Sequence, residues 1–156
     1  MWTPDGKRVT FGSSTVGPEN LFWKTADGSG STERLTTSPN QHRAAAWSPD
    51  GRTLVFVESV DAPISGDILA LSPGADRQPT AIVKTRFAEN YPDFSPDGRW
   101  LAYASDESGR SEVYVQPYPG RVREYQCRAK AGTRQAGEQM AKSSFTWSRP
   151  SRLESR

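Results

Sequence analysis

An all-β fold is predicted for this 156-residue chain, a partial β-propeller of about three four-stranded antiparallel blades in an open arc. Three observations predict it. A twelve-residue segment recurs three times without gaps. Each copy reads as strand, tight turn, strand. The chain is also rich in turn formers, with 13 glycines and 12 prolines, and no apolar stripe of helical spacing competes.

The three segments are Trp2-Thr-Pro-Asp-Gly-Lys-Arg-Val-Thr-Phe-Gly-Ser13, Trp47-Ser-Pro-Asp-Gly-Arg-Thr-Leu-Val-Phe-Val-Glu58 and Phe94-Ser-Pro-Asp-Gly-Arg-Trp-Leu-Ala-Tyr-Ala-Ser105. Their aromatic heads are 45 and 47 residues apart. Propeller blades repeat at ~40–50 residues and helical repeats at ~33–47, so the period alone does not decide. The local chemistry does. Pro4, Pro49 and Pro96 pre-set φ at the second turn position. Asp5, Asp50 and Asp97 can bond their own backbone two residues on. Gly6, Gly51 and Gly98 supply positive φ. After each turn, Val9/Phe11, Leu54/Phe56 and Leu101/Tyr103 alternate at period two, as in a strand. A proline in every unit would break a helix there.

A further strand fits downstream of each turn, at Leu21–Lys24, Ile68–Leu71 and Val113–Gln116. A fourth fits at Glu33–Thr36, Thr80–Lys84 and Arg123–Gln126. The expected blades are residues 1–43, 44–90 and 91–126, with a basic tail of low order at 127–156.

The pattern aromatic-Ser/Thr-Pro-Asp-Gly-Lys/Arg-x-apolar-x-aromatic resembles the repeat of TolB-like, WD-type propellers, over residues 1 to about 126. The stretch from Tyr91 to Gly120 is similar to propellers appended to bacterial serine/threonine protein kinases. The resemblance implies a scaffold that binds proteins or ligands and no catalysis by the blades themselves.

The residues able to carry chemistry are read mostly as structural. Trp2, Trp47 and Phe94 share one repeat position, where packing between blades is expected rather than ligand stacking. Asp5, Asp50 and Asp97 are periodic carboxylates, but their turn context favours a backbone bond over metal or acid–base work. His42, the only histidine, is read as an exposed residue of a polar loop, with no carboxylate at a telling spacing. Asp106, Glu107 and Glu112 are read as a solvated hairpin loop. The hydrolase motif Gly-x-Ser-x-Gly is absent, and so are the kinase signatures. Gly28-Ser-Gly-Ser31 is not followed by the Gly-Lys-Ser/Thr of a phosphate loop. No catalytic, cofactor-binding or metal-binding residue is therefore expected, and no cofactor.

Composition bounds the remaining classes. A single cysteine, Cys127, excludes an internal disulfide and a multi-thiolate zinc site. No apolar run approaches the ~18 residues that span a bilayer. The first residues lack the layout of a signal peptide, so a cytoplasmic location is the default expectation. Met1 stands directly before the first aromatic head, as if the chain began inside a longer gene.

The net charge of +2 is uneven, because 9 of the 20 Lys/Arg and only 3 of the 18 Asp/Glu fall after residue 120. Residues 127–156 contain no Val, Ile or Tyr, and only Phe145 and Trp147 could stack on bases, so nucleic acid is not the expected partner. Back-translated one base out of frame, Gln135–Trp147 allows Gly-Trp-Arg-Ala-Asp-Gly-Lys-Glu-Leu-Phe-Tyr-Leu, a further repeat. A one-base slip near Gln126 is the expectation. The expected partners are an unknown protein or the remaining propeller blades, with self-association through open blade edges.

Overall fold

A computed structural model describes residues 1–60, 66–74 and 77–120, together with the backbone of 125–130. Among them there are eleven strands and no helix, and every strand pair is antiparallel. The first sheet holds β1 (Arg8–Ser13), β2 (Asn20–Thr25) and β3 (Glu33–Arg34). The second holds β4 (Gln41–Trp47), β5 (Leu54–Ser59), β6 (Asp67–Leu71) and β7 (Thr80–Val83). The third holds β8 (Asn90–Phe94), β9 (Trp100–Ser105), β10 (Glu112–Pro117) and β11 (Tyr125–Lys130). In each sheet the strands lie side by side in chain order, the up-and-down meander of a propeller blade. The fold class read from the sequence is the fold observed.

Blade limits move slightly. β4 begins at Gln41, so residues 41–43, expected to close the first blade, open the second. Asn90, expected in the second blade, opens the third. Among the described residues the last strand is Tyr125–Lys130, which shares 125–126 with the expected strand and crosses the expected start of the tail. Residues 131–156, with the expected low-order tail and the frame-slip reading, lie outside the described residues. In the first blade the inner strand is reduced to one bridge, Trp2 to Val9, with Thr3 N donating to Arg8 O and Thr10 N to Met1 O.

Alternation gives each blade two apolar faces, and the core lies in the seams between blades. In the first seam Leu21, Trp23 and Leu35 of blade one meet Trp47, Leu54, Phe56, Leu69 and Leu71 of blade two. In the second seam Ala46, Val55, Ile68, Ala70 and Val83 of blade two meet Leu101, Tyr103 and Tyr114 of blade three. Successive residues of β5 thus serve opposite seams, and Leu54, Val55, Phe56 and Val57 are all buried. Each large apolar side chain buried in this way contributes about 1.5–3 kcal/mol. The middle blade is sealed on both faces by its neighbours.

Trp2 departs from expectation. Its counterpart Trp47 is 9% exposed and Phe94 is half-buried, whereas Trp2 is 62% exposed. The reason is positional. The head aromatic packs on the preceding blade, and no blade precedes the first one in this structure.

Candidate functional site

The repeated turn is the first place to look for chemistry, because it places a carboxylate in each blade. Thr3, Ser48 and Ser95 each donate a side-chain hydroxyl to Oδ1 of the aspartate two residues on, at 2.6 Å in all three copies. The same Oδ1 accepts the amide of Lys7, Arg52 or Arg99 at 3.0–3.1 Å. The Gly6, Gly51 and Gly98 amides close the turns onto the carbonyls of Thr3, Ser48 and Ser95. These glycines sit at φ of 68°, 69° and 70°, where a side chain would be strained. The three hydroxyls also accept the amides of Arg8, Thr53 and Trp100, which return the chain into β1, β5 and β9.

Hydrogen bonds to the ionised form hold all three carboxyls below their ordinary range. For Asp97, Ser95 and Arg99 bring the value to about 2. Carboxylates so occupied hold turns together. The turns also touch across blades: a Cβ on Gly98 would meet Pro49 Cδ at 3.4 Å, and one on Gly51 would meet Pro4 at 3.8 Å.

The head aromatics of the second and third blades act in the seams. The Trp47 indole N–H donates to Thr10 Oγ1 at 3.1 Å, and its ring stacks on Trp23 at 6.2 Å. Phe94 meets Tyr118 edge-on at 4.9 Å, and the Tyr118 hydroxyl donates to Thr53 Oγ1 across the second seam. Arg77 of the second blade donates to Arg34 O and to Glu33 of the first.

His42 corrects the sequence reading. It is 2% exposed and lies within β4 rather than in an exposed loop. Its ring packs on Phe56 at 4.7 Å, and Nε2 lies 3.0 Å from Glu58 Oε1. The carboxylate partner is on the adjacent strand, where His42 and Glu58 face each other across the ladder. The Ser38 hydroxyl also donates to Glu58, and the Ser38 amide and carbonyl are held by Asn20, which is buried in the first blade. One chain of hydrogen bonds, Asn20–Ser38–Glu58–His42, therefore ties two blades at the end where the inner strands begin. Burial opposes ionisation of Glu58, but bonds from His42, Asn40 and Ser38 outweigh it and hold its carboxyl below the ordinary value.

In the third blade the position of His42 is taken by Glu89. It is 1% exposed; its amide donates to Gly66 O at 2.8 Å, the Thr85 hydroxyl bonds Oε1, and Oε2 has no partner among the described residues. Burial, then the neighbouring charges of Asp67 and Asp106, raise its carboxyl above the ordinary value. Asp67 is itself paired with Lys84 at 2.7 Å.

One residue further along, the inner strands reach solvent. Arg43 Nη2 donates to Asn90 Oδ1 at 3.0 Å, and its guanidinium lies 5.9 Å from the centroid of Tyr91. Tyr91 is 63% exposed at φ 54°, inside a β8 bulge where the register to β9 shifts between Asn90 and Asp93. Bulges re-aim side chains, and a non-glycine residue at positive φ is costly. β4 carries a bulge at the same level, between Ala44 and Ala46. Glu89 and Tyr91 escaped the sequence reading, and His42 was assigned there to an exposed loop. The available signal was strand register: the residues before each head aromatic continue the inner strand outward. No group of three or more metal-ligating side chains occurs among the described residues. No helix there is long and apolar enough to cross a membrane.

The chain is similar to known proteins throughout its repeats. It is 27% identical over 118 residues to an uncharacterised protein of Agrobacterium fabrum, a match covering 72% of this chain and 37% of that protein. A TolB-like structure from Agrobacterium tumefaciens superposes with a TM-score of 0.70 at 22% identity, covering 83% of this chain and 45% of that one. TolB from Acinetobacter baumannii gives 0.64 at 20%, covering 83% and 31%. A prolyl endopeptidase structure gives 0.59 at 17%, covering 81% and 21%. These solved structures are alike in fold, and the chain spans less than half the length of the relatives it matches. Residues 1–125 match the TolB β-propeller domain family, and the chain belongs to it.

Proposed function

We propose that the chain is a non-catalytic interaction scaffold whose contact surface lies on the inner strands around Arg43 and Tyr91. The observation that carries this reading is Tyr91, an aromatic held at positive φ and presented to solvent rather than to a seam. Costly backbone at an exposed side chain favours a role in contact over one in packing. Among the described residues Arg43 has a neutral hydrogen-bond partner and no carboxylate, so its charge is available to an acidic group. The partner is an extended protein segment that carries an acidic side chain. Selection of displayed peptides on the folded chain tests this. Binders should be acidic and should be lost on Arg43→Ala and Tyr91→Ala while the far-UV spectrum is unchanged. Binders indifferent to both substitutions refute the reading.

A second reading is a detached piece of the propeller region of a multidomain kinase or peptidase, with no activity of its own. Its support is the fold likeness to a peptidase and the short span relative to matched proteins. An in-frame kinase or hydrolase domain in the flanking DNA would establish it. The same DNA tests the frame slip: a second frame that lacks the further repeat, or stops within it, removes that reading. Binding of nucleic acid through residues 127–156 ranks last, as a basic stretch without a fold motif.

A further inference from the structure

Glu89 immediately precedes the two third-blade residues of the contact surface. Asn90 holds the Arg43 guanidinium, and Tyr91 turns the chain at φ 54°. Glu89 itself is 1% exposed, although carboxylates are among the side chains least often buried. Its backbone is pinned to the second blade, the amide donating to Gly66 O at 2.8 Å. That contact is close: a Cβ on Gly66 would stand 2.7 Å from Glu89 O and 3.3 Å from Asn90 Oδ1. Only a glycine lets the segment lie there.

Among the described residues, each neighbouring element brings charge. β6 brings Asp67, which Lys84 beyond β7 holds at 2.7 Å. Asp106, beyond β9, accepts the Ala88 amide at 2.9 Å. β5 brings Glu58, bonded to His42 of β4, and β4 also brings Arg43, held by Asn90. The Thr85 hydroxyl donates to Glu89 Oε1. Burial and then the charges of Asp67 and Asp106 oppose ionisation of Glu89. An ionised carboxylate so placed gains most by reaching water. The ladder to β9 is already interrupted between Asn90 and Asp93, so little pairing resists that pull.

We propose that Glu89 is a proton-operated latch on the Arg43–Tyr91 surface. With its carboxyl neutral, segment 88–91 is seated on the second blade and the surface is formed; ionisation lifts the segment and dismantles the surface. The consequence for binding rests on the contact surface proposed above, but the movement does not. The sign follows from the raised value: the latch is shut at acid pH and opens as pH rises through the folded value. Affinity for an acidic segment should therefore fall with rising pH, although neither Arg43 nor the ligand carboxylates titrate between about pH 5 and 8.

Two measurements on the complete 156-residue chain test this over that range. The first is amide exchange of segment 88–91, corrected for intrinsic rates and compared with β5. Protection in the parent should fall severalfold as pH rises. Glu89→Gln, with His42 intact, should show no such fall. Asp106→Asn keeps an acceptor for Ala88 and removes one opposing charge, so it should lessen the fall. The second is binding of a labelled oligo-aspartate, which stays ionised over the range. Its affinity should drop severalfold with pH in the parent and stay level in Glu89→Gln. Level protection in the parent overturns the latch, and so does a Glu89→Gln variant or an Asp106→Asn variant that keeps the parent's full fall. Protection that moves while affinity stays level overturns control of the surface by Glu89. Protection that moves as expected, with no oligo-aspartate bound at any pH, supports the latch and refutes the contact surface.

Discussion

Glu89, the residue before β8, stands five residues ahead of Phe94 as His42 of β4 stands five ahead of Trp47, but the two have different surroundings. His42 has a carboxylate opposite it across the ladder, whereas Glu89 has two carboxylates in its neighbourhood and one oxygen without a partner among the described residues. Its raised value fixes the sign of a pH effect. A carboxyl whose value is raised on folding contributes stability that is fully present below its unfolded value of about 4.5. That contribution is lost as pH rises through the folded value. Glu89→Gln keeps the shape and removes the ionisation. Parent and variant unfolding curves should therefore run at a constant offset below pH ~4.5 and separate above it in favour of the variant. Curves that stay parallel up to pH 8 would show that Glu89 is not strained by its charge. Gly98 gives a second test at this scale. At φ 70°, with Pro49 Cδ 3.4 Å from where a Cβ would sit, Gly98→Ala should cost about 1 kcal/mol in chemical denaturation. The equivalent change at Gly74, where φ is not positive and a Cβ meets nothing, should cost less.

Between strands, the separation of what is local from what is not explains how far the sequence could be read. The turn Ser48-Pro49-Asp50-Gly51 and the alternation Leu54/Phe56 are properties of a dozen consecutive residues, so the hairpin and its facing were legible. The inner strand was legible only at its apolar end. Ala46 and Trp47 read as strand, but Gln41, His42 and Arg43 are polar on both faces, and periodicity assigns such a stretch to a loop. It pairs with β5 because Glu58 receives His42, a match made 16 residues away. Trp2 was misplaced for the converse reason. The repeat gives a residue its role only if the neighbouring blade is there to receive it. Trp47 allows that role to be measured. Trp47→Phe keeps most of the ring but removes the N–H that Thr10 accepts in a fully buried place. It should destabilise the chain by about 1–3 kcal/mol. Paired with Thr10→Val the loss should shrink, since neither polar partner is then stranded. Additive effects in that cycle would assign the cost to packing alone.

At the scale of the whole arc, stability is set by how many faces each blade has covered, because repeat architectures depend on nearest-neighbour interfaces. Blade two is sealed on both sides, and its β5 and β6 hold Leu54, Val55, Phe56, Ile68 and Leu71 with essentially no exposure. Blade one has a single seam, an inner strand reduced to one bridge, and an outer strand of two residues. Amide exchange under native conditions should rank accordingly. The β5 and β6 amides should exchange slowest, near the limit of global unfolding. Those of β1 and β2 should exchange faster, through an opening that leaves the middle blade intact. Equal protection across the three blades at low concentration would mean that they unfold as one unit, and that the seams couple them more strongly than the open face weakens them.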